Sequence, residues 1–235
     1  MPLSLRAFVP FFSATLPPVH DPLWLKSLAG RFIVFEGPDG SGKTTQFRRF
    51  LRACTDAGVS VCEVREPGGT GVGEKIREVL LDHAHKDMTL ACEMLLYMAS
   101  RAQLVEQRIR PALALGRLVL ADRFVASTVA YQGAAGGLPL ADIADVARVA
   151  LRGFRPDLVV VFDVDEATAQ RRMSPLLDRM EAKGREFHQR VRQGYLDQVA
   201  KDPEHFRRID ATLPEEQVWT ALMAVIRQKL GATSK

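Results

Sequence analysis

The sequence predicts an α/β fold in which a mostly parallel central sheet is flanked by helices. Short apolar segments alternate with longer segments of helical pattern along most of the 235 residues, an order typical of parallel strands joined by helices. The segment Leu158 to Phe162 is almost unbroken apolar sequence, as expected of a strand covered by helices on both faces. Arg31 to Phe50 combines a strand, a glycine-rich loop and the start of a helix, and the rest of the chain is organised around it.

The predicted elements follow one another in a regular order. The strands are Phe32 to Phe35, Val59 to Val64, Leu118 to Ala121, Leu158 to Phe162 and Phe206 to Ile209. Helical patterns cover Gln46 to Thr55, Gly73 to Leu81, Leu90 to Leu115, Ala141 to Leu151, Glu166 to Met173, Glu181 to Lys201 and a segment after Thr212. Gly133 to Gly137 indicates a loop, and Ser174-Pro175 ends a helix.

The composition is that of an ordinary soluble globular chain. Hydrophobic residues make up 47% and charged residues 26%, and the formal net charge is +4. The sequence has no long run of lysine and arginine, so we attribute the positive excess to arginines that face small anionic ligands and expect no nucleic-acid partner. The three cysteines form no C-x-x-C pair, which suits a cytoplasmic protein, and the five histidines show no metal-ligand spacing.

Residues 1–29 differ from the rest of the chain. The apolar piece from Ala7 to Phe12 is interrupted by proline, is too short to span a bilayer and makes a poor signal peptide, so no membrane partner is expected. Pro17-Pro18 and Pro22 argue against a continuous helix. We expect either a poorly ordered extension or an over-long start of the open reading frame, followed by one domain over residues 30–235.

Gly37 to Thr44 matches the phosphate-binding pattern G-x-x-x-x-G-K-[ST] and lies between a strand and a helix. The glycines let the main chain approach an anion, and the positive end of the helix lies behind it. Lys43 is expected to reach the β and γ phosphates of a nucleotide, and the Thr44 hydroxyl a Mg²⁺ ion. The pattern therefore indicates a P-loop NTPase-type fold. An ordinary glycine-rich turn is disfavoured, because the signature is complete and its flanks are right.

Polar residues follow the ends of other strands, where ligands of parallel sheets bind. Arg65 and Arg123 each end a strand and are expected to form a clamp for an acceptor phosphate, since guanidinium groups bind phosphate in a bidentate way. Surface salt bridging is the alternative. Tyr97 and Arg101 are four residues apart on one helix face, where a ring could stack on a nucleobase while the guanidinium bonds to its edge. A core position is the alternative for Tyr97.

Three arginines, Arg171, Arg172 and Arg179, surround the break at Ser174-Pro175. A mobile flap that carries arginine suits phosphoryl transfer, in which charge must be neutralised and water excluded. A solvated basic helix is the alternative. If the acceptor is a nucleoside monophosphate, its phosphate is already largely dianionic, with a second pKa of about 6, and needs no strong general base. Catalysis would then rest on alignment and electrostatics.

Several segments together resemble bacterial thymidylate kinases. They are Phe32 to Gln46, REPGGT (Arg65 to Thr70), LLYMASRAQLVE (Leu95 to Glu106), ADRFVASTVAYQG (Ala121 to Gly133), FRPDLVVVFDV (Phe154 to Val164) and IDAT (Ile209 to Thr212). They occur in the same order and at similar spacing, from about Gly30 to the C-terminus. The resemblance implies phosphorylation of dTMP to dTDP with ATP and Mg²⁺ in dTTP synthesis, usually by a homodimer.

The resemblance also implies roles for individual residues. ATP would be bound by Gly37, Pro38, Asp39, Gly40, Ser41, Gly42, Lys43, Thr44, Thr45, Asp210, Ala211 and Thr212. For dTMP the residues would be Asp39 at the 3′-hydroxyl, Arg65 and Arg123 at the phosphate, Tyr97, Arg101, Thr128 and Gln132 at thymine, and Tyr131 at the sugar's 2′ position. Thr44 would hold Mg²⁺, and Asp122 would assist through water.

The loop residue after Asp39 is glycine, which resembles the bacterial type that supplies its catalytic arginine from a lid. The lid would span about residues 171–185, and the catalytic residues would be Asp39, Lys43, Arg123, Arg171, Arg172 and Arg179. Rival interpretations are another nucleoside monophosphate or deoxynucleoside kinase, a GTP-binding switch and a nucleic-acid-stimulated ATPase. The chain contains no asparagine, so it lacks the Asn-Lys-x-Asp guanine motif that a GTP-binding switch would carry.

Overall fold

A computed structural model describes residues 22–172, 179–180 and 183–231. It confirms the α/β fold: five parallel strands form one sheet in the order β2-β3-β1-β4-β5. The strands are β1 (Phe32–Glu36), β2 (Val61–Arg65), β3 (Leu118–Asp122), β4 (Leu158–Asp163) and β5 (Phe206–Asp210). The helices are α1 (Lys43–Asp56), α2 (Gly71–Leu81), α3 (Leu90–Leu104), α4 (Arg110–Ala114), α5 (Val125–Thr128), α6 (Leu140–Leu151), α7 (Glu166–Arg172), α8 (Arg185–Lys201) and α9 (Glu215–Leu230).

The central strands β1, β3 and β4 are apolar up to an acidic last residue, because both faces of the sheet are covered. Alternate residues of β1 enter different cores, with Ile33 and Phe35 on the α1 and α9 side and Phe32 and Val34 on the other. Phe35 contacts the rings of three other phenylalanines in its core. β1 lies between β3 and β4, so the loop that follows it opens at the middle of the carboxyl edge of the sheet.

The helix predicted from Leu90 to Leu115 is confirmed as a continuous helical run, but its middle is π-helical. α3 ends at Leu104, a π-helical turn covers Val105–Ile109, and α4 follows. Pro111 lies in the first turn of α4 and has no backbone N–H to donate to the residue four positions earlier. The wider turn before it accommodates this missing bond.

The prediction of a loop from Gly133 to Gly137 is wrong in part, because a π-helical segment runs from Val129 to Ala135. A Cβ atom at Gly133 would lie 2.7 Å from the Leu140 side chain, so this glycine permits close packing of the segment against α6. The turn begins only beyond it, and Gly137 has a φ of 93° that glycine adopts easily.

The N-terminal turn Pro22–Leu28 is a 3₁₀ helix that packs into the core. Leu25 and Leu28 are only 2% and 0% exposed and belong to the same apolar cluster as Phe50 and Leu222. The packed part of the chain therefore begins before Gly30, inside the segment that the sequence assigned to an extension. Residues 1–21 lie outside the described part, and so do 173–178 and 181–182 of the predicted lid. Within the described ranges, no helix has the length and apolarity that a membrane span requires.

Candidate active site

The loop after β1 needs glycine at the positions where the sequence places it. Gly37 has a φ of 144°, and a Cβ atom there would lie 2.5 Å from the carbonyl oxygen of Phe162. At Gly40, with a φ of 74°, a Cβ atom would meet the carbonyl oxygen of Ala169. The loop therefore passes close to the ends of β4 and α7, where no side chain fits. It leads directly into the N-terminus of α1, which favours an anion.

A cavity of about 540 Å³ lies over this loop, and we call it the donor cavity. Its walls include all the loop residues from Pro38 to Thr45. Arg172 and Ala211 close another side, and the Arg172 guanidinium donates to the Ala211 carbonyl oxygen at 2.7 Å. Beside them, the Asp210 carboxylate accepts from the backbone N–H and the hydroxyl of Thr212, at 3.0 and 2.6 Å. The turn from Asp210 to Thr212, predicted to bind ATP, thus lies next to the phosphate loop.

A second cavity of about 240 Å³, the acceptor cavity, adjoins the first. Most of the residues predicted to bind dTMP line it together: Asp39, Arg65, Tyr97, Arg123, Thr128, Tyr131 and Gln132. Asp39, Lys43 and Thr44 line both cavities. A group bound in one cavity would therefore meet a group bound in the other beside Lys43.

Lys43 and Asp122 form a partly buried contact at this meeting point. The ammonium group of Lys43, whose side chain is 8% exposed, donates to the Asp122 carboxylate. Thr44 lies on the same wall as Asp122. Both are oxygen donors of the kind Mg²⁺ prefers, and this ion usually takes only one or two protein ligands beside substrate phosphates and water. The predicted pair therefore fits a Mg²⁺ ion, although the described residues contain no cluster of three or more His, Cys, Asp or Glu that could hold one alone.

Arg123 is held in place by contacts on several sides. Its backbone is left-handed, with a φ of 71°, and its guanidinium donates to the carbonyl oxygen of Gly37 and to the hydroxyl of Tyr195, both at 3.1 Å. It also pairs with the Asp39 carboxylate, whose other oxygen accepts from Tyr131 at 2.9 Å. Burial alone would raise the pKa of Asp39, but Arg123, Tyr131 and Lys43 outweigh burial and lower that pKa. Asp39 is therefore an ionised acceptor at neutral pH.

Arg65 and Arg101 differ in exposure. Arg65 lines the acceptor cavity and pairs with Glu74 at 3.0 Å on its solvent side. Arg101 is 1% exposed and is absent from the lining of that cavity. Its guanidinium donates to the Glu66 carboxylate at 2.7 Å and to the Thr128 hydroxyl at 3.1 Å, so it supports the cavity wall from behind.

The three arginines predicted for the lid do not converge. Arg172 lies at the donor cavity, as described above, whereas Arg171 is exposed and donates to the Thr168 hydroxyl at 2.8 Å. Arg179 is buried on the acceptor side, where it donates to the carbonyl oxygen of Leu80 at 2.8 Å and pairs with Glu93 at 2.7 Å. Of the three, Arg172 has the position that suits a phosphate contact in the donor cavity.

Comparison with known proteins identifies the family of the chain. The family model described as thymidylate kinase matches residues 35–222 of the chain. The chain belongs to the thymidylate kinase family. It is 42% identical over 200 residues to the thymidylate kinase of Symbiobacterium thermophilum, covering 85% of this chain and 94% of that one. Its identity to the thymidylate kinase of Pelotomaculum thermopropionicum is 44% over 211 residues, or 88% of this chain and 98% of the relative. The protein of that name from Deinococcus radiodurans is 44% identical over 204 residues, with 85% and 98% covered.

Two buried groups that support this thymidylate kinase family site, Glu36 and Tyr195, were not predicted from the sequence. Glu36 ends β1, is fully buried, and accepts from the Phe124 backbone N–H and the Ser127 hydroxyl, both at 2.7 Å, and from the Tyr195 hydroxyl at 3.0 Å. Burial raises the pKa of Glu36, although Arg123 and these hydrogen bonds oppose the rise. The sequence signal for Glu36 was a charged residue at the end of an otherwise apolar strand. Tyr195 lies in a polar helix and gave none.

Proposed function

We propose that the chain transfers the γ-phosphoryl group of ATP to dTMP and so makes dTDP for dTTP synthesis. The observation that carries the proposal is the junction of the two cavities at Lys43. One cavity has a glycine-rich anion cradle, and the other is lined by Arg65 and Arg123. Two phosphate-bearing substrates placed there would meet end to end, as in-line transfer requires. The curated relatives described above carry the name of this activity.

On the donor side, backbone N–H groups of the phosphate loop and Lys43 would bind the β and γ phosphates. Adenine would lie against the turn from Asp210 to Thr212. Arg172 lies between that turn and the loop, which suits it to neutralise charge on the transferred group. Mg²⁺ would be held by Thr44 and Asp122 and would supply further positive charge to the phosphates.

On the acceptor side, Arg65 and Arg123 would bind the dTMP phosphate. Arg123 already contacts Asp39, so the phosphate would share that guanidinium and leave Asp39 to accept from the sugar's 3′-hydroxyl. Tyr131 donates to Asp39 from the same wall, where its ring would crowd a 2′-hydroxyl. Tyr97 would stack on thymine, with Thr128 and Gln132 at its edge. For Arg101 to reach O4 of thymine, it would have to exchange its bond to Thr128.

These groups position and stabilise charge, and no covalent intermediate is required. A largely dianionic acceptor phosphate attacks without a strong general base. Lys43 and Arg123 would hold the two phosphates from positions that their charged partners already fix. Little reorganisation is then needed during the transfer.

We further propose that the protein works as a cytoplasmic homodimer. Large apolar side chains are exposed on three helices that pack side by side, with Val79 on α2, Leu95 on α3 and Val149 on α6. Burial of such residues against a second copy would stabilise a dimer. Sedimentation equilibrium would give twice the chain mass; a monomer at micromolar concentration would refute this part.

The test of the activity is a coupled assay of ADP release with Mg·ATP and a panel of nucleoside monophosphates. We expect dTMP to give the highest kcat/KM. If only another nucleoside monophosphate were turned over, that compound would be the substrate in place of dTMP. Release of ADP only in the presence of DNA, with binding that falls steeply with salt, would favour the nucleic-acid-stimulated ATPase.

A further inference from the structure

Glu93 connects the acceptor cavity with the segment after α7. It lies in the first turn of α3, is 1% exposed, and is absent from the lining of the cavity itself. Its carboxylate accepts from the side-chain amide of Gln132 at 2.8 Å. It also pairs with Arg179 at 2.7 Å and with Lys183 at 3.5 Å.

The two cations decide what Glu93 can do. The Glu93 carboxylate forms ion pairs with both of them, and a carboxylate in an ion pair only accepts hydrogen bonds. The amide of Gln132 has a donor end and an acceptor end of nearly the same shape. A neighbour that only accepts keeps the Nε2 end of this amide on its own side. The Oε1 end is then available to the cavity that Gln132 lines.

We propose that Glu93 is a positioning residue that makes Gln132 present an acceptor, Oε1, to the ring N3–H of thymine. This inference rests on the proposed function, because it concerns recognition of the base of dTMP. Cytosine has an acceptor at N3, so dCMP would place two acceptors against each other. Gln132 is 2% exposed, and such a mismatch in a site shielded from water is costly.

The experiment replaces Glu93 by glutamine, which has nearly the same shape but can donate as well as accept. In Glu93→Gln the Gln132 amide can turn over and offer N–H to cytosine. We expect the ratio of kcat/KM for dTMP to kcat/KM for dCMP to fall about tenfold or more, mainly through KM. Glu78→Gln is the matched control, since Glu78 is exposed and pairs only with Lys75 among the described contacts. Its ratio should equal that of the unaltered protein.

The exchanged pair Glu93→Gln with Gln132→Glu tests the mechanism. In this double variant the amide at position 93 would donate to the carboxylate at position 132, whose other oxygen is again a fixed acceptor that faces the base. The preference for dTMP should therefore return toward its original value. A folded Glu93→Gln variant with an unchanged ratio would overturn the positioning role and leave the proposed function intact. If circular dichroism shows that the single variant does not fold, the exchanged pair decides, and a collapsed ratio in it overturns the role. An unaltered protein that does not phosphorylate dTMP would overturn the proposed function instead.

Discussion

The donor cavity is built around a single glycine-containing loop, whereas the acceptor cavity is lined by residues from several elements. Gly37 and Gly40 shape the donor side by letting the loop pass against backbone oxygen atoms. On the acceptor side, Glu66 pairs with the buried Arg101. Glu36 and Glu93 accept hydrogen bonds from two lining residues, Ser127 and Gln132. Each of these three carboxylates is at most 6% exposed.

This difference between the cavities predicts how each one responds to the substitution of a side chain. A side chain that reaches into the donor cavity can be removed without disturbing the glycine loop, so the loss should be kinetic. Removal of a buried charge on the acceptor side leaves its partner without compensation, so stability and recognition should fall together.

Lys43→Ala should have the largest effect on activity. Loss of a positive group on the transferred phosphoryl costs about 10³- to 10⁵-fold in rate in related chemistry. We expect kcat to fall in this range while the urea midpoint stays close to that of the unaltered protein. Lys75→Ala, on the exposed face of α2, is the control and should keep full activity. If Lys43→Ala kept its turnover, the donor cavity would not be the site of transfer.

Arg101→Met, on the acceptor side, should mainly lower stability, in contrast to Lys43→Ala, which should mainly lower the rate. It leaves Glu66 buried and unpaired, which costs about 3–5 kcal/mol when one partner of a buried ion pair is removed. We expect urea unfolding at pH 8 to report this loss. The double variant with Glu66→Met replaces both charges by apolar groups and should recover much of it. An equally unstable double variant would assign the loss to packing.

The same ion pair predicts a dependence of stability on pH. Burial raises the pKa of Glu66 from its ordinary value of 4.5 to about 7, although Arg101 opposes the rise. Between these values the folded protein holds a proton that the unfolded chain has released. The contribution of Glu66 is therefore full below pH 4.5 and is lost as the pH rises through 7. We expect the loss to be at most about 3 kcal/mol.

Glu66→Gln cannot titrate, so its free energy of unfolding should fall less than that of the unaltered protein across this range. Urea titrations at several pH values between 4.5 and 7.5 compare the two slopes. Glu78→Gln, which changes an exposed carboxylate, should leave the original slope. Parallel curves for Glu66→Gln and the unaltered protein would contradict a titration of Glu66 in this range.

The contrast between the donor and acceptor cavities also explains what the sequence could predict. The donor loop is a local pattern whose spacing encodes its geometry, and the parallel sheet follows from the alternation of elements. Arg65, Arg123 and Tyr97 of the acceptor lining were predicted because strand ends and one helix face collect there. Thr128, Tyr131 and Gln132 were implied only by the family resemblance. The supporting residues could not be predicted in the same way. Glu93 contacts residues 39, 86 and 90 positions away, and no local pattern specifies such separations. The position of Arg179 beside Glu93 could not be predicted for the same reason.

Arg123→Ala tests whether the two cavities hold different substrates. We expect kcat/KM for dTMP to fall about a hundredfold or more, with a small change in the KM for ATP. Arginine and alanine share the cost of the left-handed backbone at φ 71°, so the substitution tests the side chain. Arg152→Ala is a matched control, because Arg152 also has a positive φ, of 51°, and is exposed at the end of α6. Equal kinetic losses for dTMP and ATP would contradict the assignment of Arg123 to an acceptor-phosphate clamp.

Tyr97 should give the smallest effect and the finest test of the acceptor wall. Stacking of a base on an aromatic ring is worth about 1–3 kcal/mol, so Tyr97→Ala should raise the KM for dTMP about tenfold, and Tyr97→Phe should leave it nearly unchanged. Tyr97 is only partly buried and lines the cavity, so neither variant should lower the melting temperature strongly. A core residue would respond in the reverse way, with a lower melting temperature in Tyr97→Ala and an unchanged KM. The two measurements on one pair of variants therefore separate a ring that binds the base from a ring that only packs.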